Sequence, residues 1–151
     1  MKSVYRVFAY LVAAGVLLQA AAVAYGFFAM VKYIDDGATV DKSTTTFPGV
    51  VGLEIHGIGG TIIVPFIALV FLILSFFAKV PGGVKWGLIV FITTVVQVAL
   101  GLFAHTVPIL GVLHGIVALV LMGVAVTAAM RVGSATAVIP ADQTSAGVPV
   151  R

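Results

Sequence analysis

Residues 7–31, 50–77, 85–105 and 109–130 form four apolar runs, each about twenty residues or longer and nearly free of charge. At 1.5 Å per residue, about twenty residues cross the roughly 30 Å hydrocarbon core of a bilayer as one helix. Lipid offers no hydrogen bonds to peptide groups, so runs of this kind must be helical. Four of them in sequence predict an all-α integral membrane four-helix bundle built from two hairpins. Residues 1–131 form that membrane domain. Residues 132–151, rich in Gly, Ala, Ser and Pro, read as a flexible cytoplasmic tail.

Composition removes the soluble alternatives. Of 151 residues, 62% are hydrophobic and 9% charged, against about 25% charged in a typical soluble domain. Mean hydropathy is +1.25. The net charge of +3 is scattered singly at the edges of the runs. Nucleic-acid binding requires a clustered basic patch, so no nucleic-acid partner is expected. The absence of cysteine excludes disulfides, thiolate metal sites and iron–sulfur clusters. The first run exceeds the 7–15-residue core of a signal peptide and reads as an uncleaved signal-anchor.

Charge also predicts orientation. Lys2 and Arg6 precede the first run, Lys79 and Lys85 lie between the second and third, and Arg131 and Arg151 follow the fourth. The other side has Lys32 and Lys42, offset by Asp35, Asp36 and Asp41. The positive-inside rule then places both termini and the "AKVPGGVK" loop in the cytoplasm, as expected of a multi-pass plasma-membrane protein. On this layout His56 in the second run and His114 in the fourth lie at nearly the same depth in the outer leaflet. His105 closes the outer end of the third run. The halves also echo each other: "EIHGI" answers "VLHGI", and Gln19 answers Gln97. Such hairpins would be related by an axis along the membrane normal.

Ionisable groups within a span are rare and usually face a partner or a pathway. The pair His56 and His114 predicts a haem b with one axial imidazole from each, since haem iron accepts histidine nitrogen. Metal–imidazole bonds of about 2.0–2.1 Å, with two side chains, put the ligand Cα atoms roughly 13 Å apart. Packed helices approach to about 8–10 Å, so a flat macrocycle would fill the difference. Small residues beside the ligands, Gly57, Gly59 and Gly60 near His56 and Gly111, Gly115 and Ala118 near His114, would admit it. Helix–helix contact through small residues is the competing role for each of them.

Other polar residues have plainer readings. His105 suits an interfacial position, or contact with a haem propionate, for which Lys32 and Lys42 are further candidates. Glu54 lies two residues from His56 and therefore on a different helix face. It is expected at the interface, hydrogen-bonded to "STTT", with proton gating, a haem edge or action on a substrate as alternatives. Gln19 and Gln97 suit interhelical hydrogen bonds. Pro65 predicts a kink in the second run. Thr106 and Pro108 read as the cap and first turn of the last helix. Phe47, Phe103 and Trp86 read as core or interface aromatics.

The segment "VVQVALGLFAHTVPILGVLHGIVALVLMGVAV" resembles the haem A synthase pattern. There, a helix with Gln, Leu and Gly leads through a short turn to a histidine early in the next helix. That family has two four-helix halves, with histidine pairs on the second and fourth helices of each binding haem. The similarity covers the third and fourth runs in sequence and the first two in layout, and implies that His56 and His114 form one such pair. The whole chain is also similar to small four-helix membrane proteins of actinobacteria. The chain departs from haem A synthase by having one half only. Glu54 lies two residues before His56, where the family's catalytic glutamate lies three before a histidine, and Gly57 stands where the family has arginine. The resemblance therefore implies a one-haem electron carrier rather than the family's oxidase activity.

Together these readings predict a six-coordinate haem b protein near the outer face. Its role would be electron transfer with the quinone pool or a membrane redox protein, rather than stand-alone catalysis. Two alternatives stay open. One is a cofactor-free accessory subunit of a larger respiratory complex. The other is a copper or zinc site built from His56, His105, His114 and Glu54.

Overall fold

The four runs fold as four helices in the computed structural model, which describes residues 1–134. Helix α1 spans Lys2–Asp35, α2 spans Val50–Phe77, α3 spans Gly83–Ala104 and α4 spans Leu110–Ser134. All four are long and apolar enough to cross a membrane. Helix α4 runs into the segment expected to be tail, and the remainder of that tail lies outside the described residues. At 1.5 Å per residue α1 is about 51 Å long, well beyond a hydrocarbon core. Its last turn carries Lys32 and Asp35, and Lys32 pairs with the capping Asp36 at 2.9 Å.

Helix α1 packs on α2 and α4, and α3 packs on the same two, leaving α2 and α4 on one diagonal of the bundle. The N-terminus, the 78–82 turn and the end of α4 define a proximal end. The 36–49 loop and the 105–109 turn define the distal end. Among the described residues the proximal end carries Lys2, Arg6, Lys79, Lys85 and Arg131 with no acid, and Arg131 lies 5.2 Å from the Trp86 ring centre.

The core sits in the proximal half. Tyr5, Ala9, Val12, Phe71, Val90, Leu121, Ala125, Ala128 and Ala129 are buried there, with the Tyr5 and Phe71 ring centres 4.7 Å apart. Alanine at so many contacts lets the backbones approach, the usual device where lipid removes the hydrophobic drive between helices. Among the described residues of the distal half only Gly26, Gly52 and Gly59 are buried. Gly26 and Gly52 bring α1 against α2. A Cβ on Gly52 would lie 2.5 Å from the Ala22 carbonyl oxygen, and one on Gly26 would lie 2.7 Å from the Leu53 nitrogen.

Helix α2 carries a π turn at Gly59–Ile63, just before Pro65. Pro65 has no N–H for the carbonyl four residues back, and the ladder adjusts locally. The Val64 N–H reaches the Gly59 carbonyl, and Thr61 Oγ1 donates to the Gly57 carbonyl at 2.7 Å. The irregularity expected at Pro65 thus takes the form of one wide turn on its N-terminal side. Helix α4 starts two residues after Pro108, later than expected. Proline's fixed φ serves the 105–109 turn, and the Gly111 N–H closes on the Pro108 carbonyl at 2.9 Å.

Candidate functional site

His56 on α2 and His114 on α4 face each other across the bundle diagonal in the distal half. Their ring centres are 6.0 Å apart and their planes meet at 76°. Both side chains are half-buried.

Each ring is held by the neighbouring helix of its own hairpin. His56 Nδ1 lies 3.1 Å from the Gln19 carbonyl oxygen, and His114 Nδ1 lies 3.0 Å from the Gln97 carbonyl oxygen. A carbonyl only accepts, so each Nδ1 carries the proton and donates it. Both imidazoles are thereby set in the tautomer that presents the Nε2 lone pair, the arrangement found behind metal-bound histidines. His114 Nε2 accepts from the Gln97 side-chain amide at 3.1 Å. His56 Nε2 has no hydrogen-bond partner among the described residues. The echo between Gln19 with His56 and Gln97 with His114 is thus a repeated backbone hydrogen bond.

The glutamine side chains are incompletely satisfied. Gln19 Nε2 donates to the Ile55 carbonyl at 3.4 Å, while Oε1 of both Gln19 and Gln97 is buried with no partner. Glycines admit these groups. A Cβ on Gly101 would lie 3.0 Å from His114 Cε1, so the ring rests on the backbone of α3. A Cβ on Gly59 would collide with the Gln19 amide, and one on Gly60 would lie 3.4 Å from Gln19 Oε1. Gly57, Gly111 and Gly115 have no atom within 4 Å of such a Cβ and border open space. Ala118 packs against the core instead. Sequence reasoning overlooked Gly101, whose signal was its place one helical turn after Gln97.

The structure does not bring His105 to this pair. Its exposed ring lies 3.1 Å and 3.2 Å from the Gly101 and Leu102 carbonyls and caps the C-terminus of its own helix. No group of three His, Asp or Glu side chains is placed to hold a metal among the described residues. The expected contact between Glu54 and "STTT" is also absent. Ser43 and Thr44 close on Asp41, which Ser43 reaches through its N–H at 2.8 Å and its hydroxyl at 2.6 Å. These bonds hold the Asp41 carboxyl below the usual carboxylate range. Glu54 is exposed and lines a groove between α1 and α2.

Three observations bear on whether a haem fits. Two metal–imidazole bonds of about 2.0–2.1 Å, each with about 1.1 Å from nitrogen to ring centre, call for centres about 6.3 Å apart. The observed 6.0 Å is close to that. Both Nδ1 atoms are already engaged, so both coordinating nitrogens are available once the Gln97 amide turns aside. Finally, the distal part of α2, Val50–Ile63, packs on α1 without comparable packing on α3 or α4. That stretch of α2 therefore meets α4 chiefly through the facing imidazoles. No family's sequence pattern, characterised protein or solved structure matches this chain.

Proposed function

We propose that the chain is a four-span plasma-membrane protein of a bacterium that holds one haem b between His56 and His114 and serves as an electron relay. Both termini face the cytoplasm in this reading, because the five basic residues of the proximal end lie on the retained side. The observation that carries the cofactor reading is the pair of facing imidazoles, each fixed through Nδ1 by a glutamine carbonyl of the partner helix.

His56 and His114 would hold the group, which would supply a one-electron change at iron. The chain's own residues do the rest. The Gln19 and Gln97 carbonyls orient the rings and raise their basicity as ligands. Gly101 keeps the His114 ring close to α3.

The test is a reduced-minus-oxidised spectrum of the purified protein. A haem b α-band is expected, lost in both His56→Ala and His114→Ala and retained in His105→Ala. Full haem occupancy in either of the first two variants overturns the assignment. Stoichiometric copper or zinc without iron would favour the metal site.

A further inference from the structure

The proximal end of the bundle collects Lys2, Arg6, Lys79, Lys85 and Arg131, with no acid among the described residues. Local helix energetics do not ask for this arrangement. Lys79 and Arg131 stand at helix C-termini, whose negative pole they suit. Lys2 and Lys85 stand in the first turns of α1 and α3, where the macrodipole opposes a cation.

One of these cations is held in place. The Arg131 guanidinium lies 5.2 Å from the centre of the Trp86 ring. Trp86 is half-buried and packs against the core, so it fixes where the guanidinium sits. Stacking engages the flat face of the guanidinium and leaves its edge N–H groups to donate. Arg131 is exposed and makes no ion pair among the described residues, and the same holds for Lys85, next to Trp86 in the sequence. Apolar side chains continue the corner toward the middle of the bundle: Leu88 on α3 and Met130 on α4 are 43% and 63% exposed. A ligand that fits carries negative charge for the planar donors of Arg131 and apolar length for Leu88 and Met130. A free phosphate or an acidic peptide has the charge without the length. A zwitterionic phospholipid has the length but brings its own cation to a basic end. An anionic phospholipid has both, and its phosphate matches the fork of arginine donors.

We infer that the proximal corner of α3 and α4 binds an anionic phospholipid, Arg131 donating to the phosphate from its seat on Trp86, Lys85 adding charge, and the acyl chains lying along Leu88 and Met130. The inference rests on the membrane-spanning reading of the four helices and is independent of the haem. The positive-inside rule accounts for the sign of charge at this end, and it does not call for a guanidinium seated on an indole.

Trp86 is the only tryptophan in the chain, so its fluorescence reports this corner alone. The test places the full chain in phosphatidylcholine nanodiscs doped with brominated phosphatidylglycerol or with brominated phosphatidylcholine of the same chains. The ratio of the two half-quenching fractions is read, so changes in the emission of Trp86 itself cancel. Phosphatidylglycerol should reach half-quenching at a mole fraction roughly fivefold lower or less, the factor that one basic group at a membrane surface supplies. Arg131→Gln, at an exposed position, should bring the ratio within roughly twofold of one, with helicity unchanged. Arg6→Gln, on the helix diagonal to α3, should leave most of the preference. A ratio near one in the unaltered chain overturns the proposal. So does a loss in Arg6→Gln equal to that in Arg131→Gln, which would mean a diffuse field rather than a site. An emission shift from inorganic phosphate or triglutamate in undoped discs, equal to that from phosphatidylglycerol, overturns it in favour of a soluble anion. Absence of quenching by either brominated lipid would remove the membrane reading and this inference with it, whereas quenching by both without preference removes this inference alone.

Discussion

The two halves of this bundle solve different problems with the same kind of sequence. In the proximal half, large side chains interdigitate with alanine, and the buried polar side chains are satisfied within their own helices. Ser75 Oγ donates to the Leu72 carbonyl at 2.6 Å and Thr94 Oγ1 to the Val90 carbonyl at 2.8 Å. Among the described residues of the distal half only glycines are buried, the distal part of α2 packs on α1 alone, and two glutamine oxygens lie buried without partners. Polar groups that cost free energy unless something joins them are concentrated where the packing is loosest. The proximal half reads as the clamp that holds the fold, and the distal half as the part shaped for something else.

The largest effect should come from the clamp. Phe71 is fully buried against Tyr5. Phe71→Ala should cost about 3–5 kcal/mol, chiefly through a cavity that neighbouring helices cannot close. Ile62 is 63% exposed in the distal half, and Ile62→Ala should cost under about 0.5 kcal/mol. Denaturant-induced loss of helicity in mixed micelles measures both. Similar costs for the two variants would break the distinction between the halves.

A smaller effect on folding, with a large one on the site, is expected at Gly101. A valine there puts a branched side chain against the His114 ring, which a bare Cβ would already approach to 3.0 Å. Haem content should fall roughly tenfold or more, while cofactor-free unfolding shifts by under about 1 kcal/mol, because valine replaces a poor helix former. Gly123→Val on α4, where a Cβ meets no atom within 4 Å, should change neither. A global loss of stability in Gly101→Val would show that the distal half is as tightly coupled as the proximal one.

Much of this architecture is legible in the sequence because uninterrupted apolar runs of about twenty residues read as single helices. The second apolar run is residues 50–77, and α2 is Val50–Phe77. Helix α1 extends past its apolar run at both ends and takes in Lys2, Arg6, Lys32 and Asp35. The common level of His56 and His114 follows from counting residues along helices of known rise. What could not be read is rotation about each helix axis. These helices are apolar nearly all round, so periodicity does not say which face turns inward. For that reason Glu54 was expected against "STTT" and instead lines the α1/α2 groove, and Gly101 was overlooked. The π turn escaped for another reason. Pro65 announces a disturbed ladder, but whether it is taken up as a kink or a wide turn depends on neighbouring contacts.

The smallest expected effect probes the glutamine side chains against the glutamine backbone. Gln97 reaches His114 twice, through its carbonyl to Nδ1 and through its amide to Nε2. Gln97→Leu removes only the second contact, together with a buried oxygen that has no partner. The lost hydrogen bond and the removed unsatisfied oxygen nearly offset, so the cofactor-free protein should lose at most about 1 kcal/mol. Thr94→Val in the proximal half removes a satisfied bond with no such offset and should cost about 1 kcal/mol. With haem bound, His114 Nε2 is no longer free to accept from the amide, so Gln97→Leu should change haem retention less than roughly threefold, a shift under about 1 kcal/mol. Haem loss in Gln97→Leu as complete as in His114→Ala would mean that the side chain, and not the carbonyl, sets the ring. The repeated carbonyl–imidazole bond would then be a by-product of helix packing rather than the device that prepares both ligands.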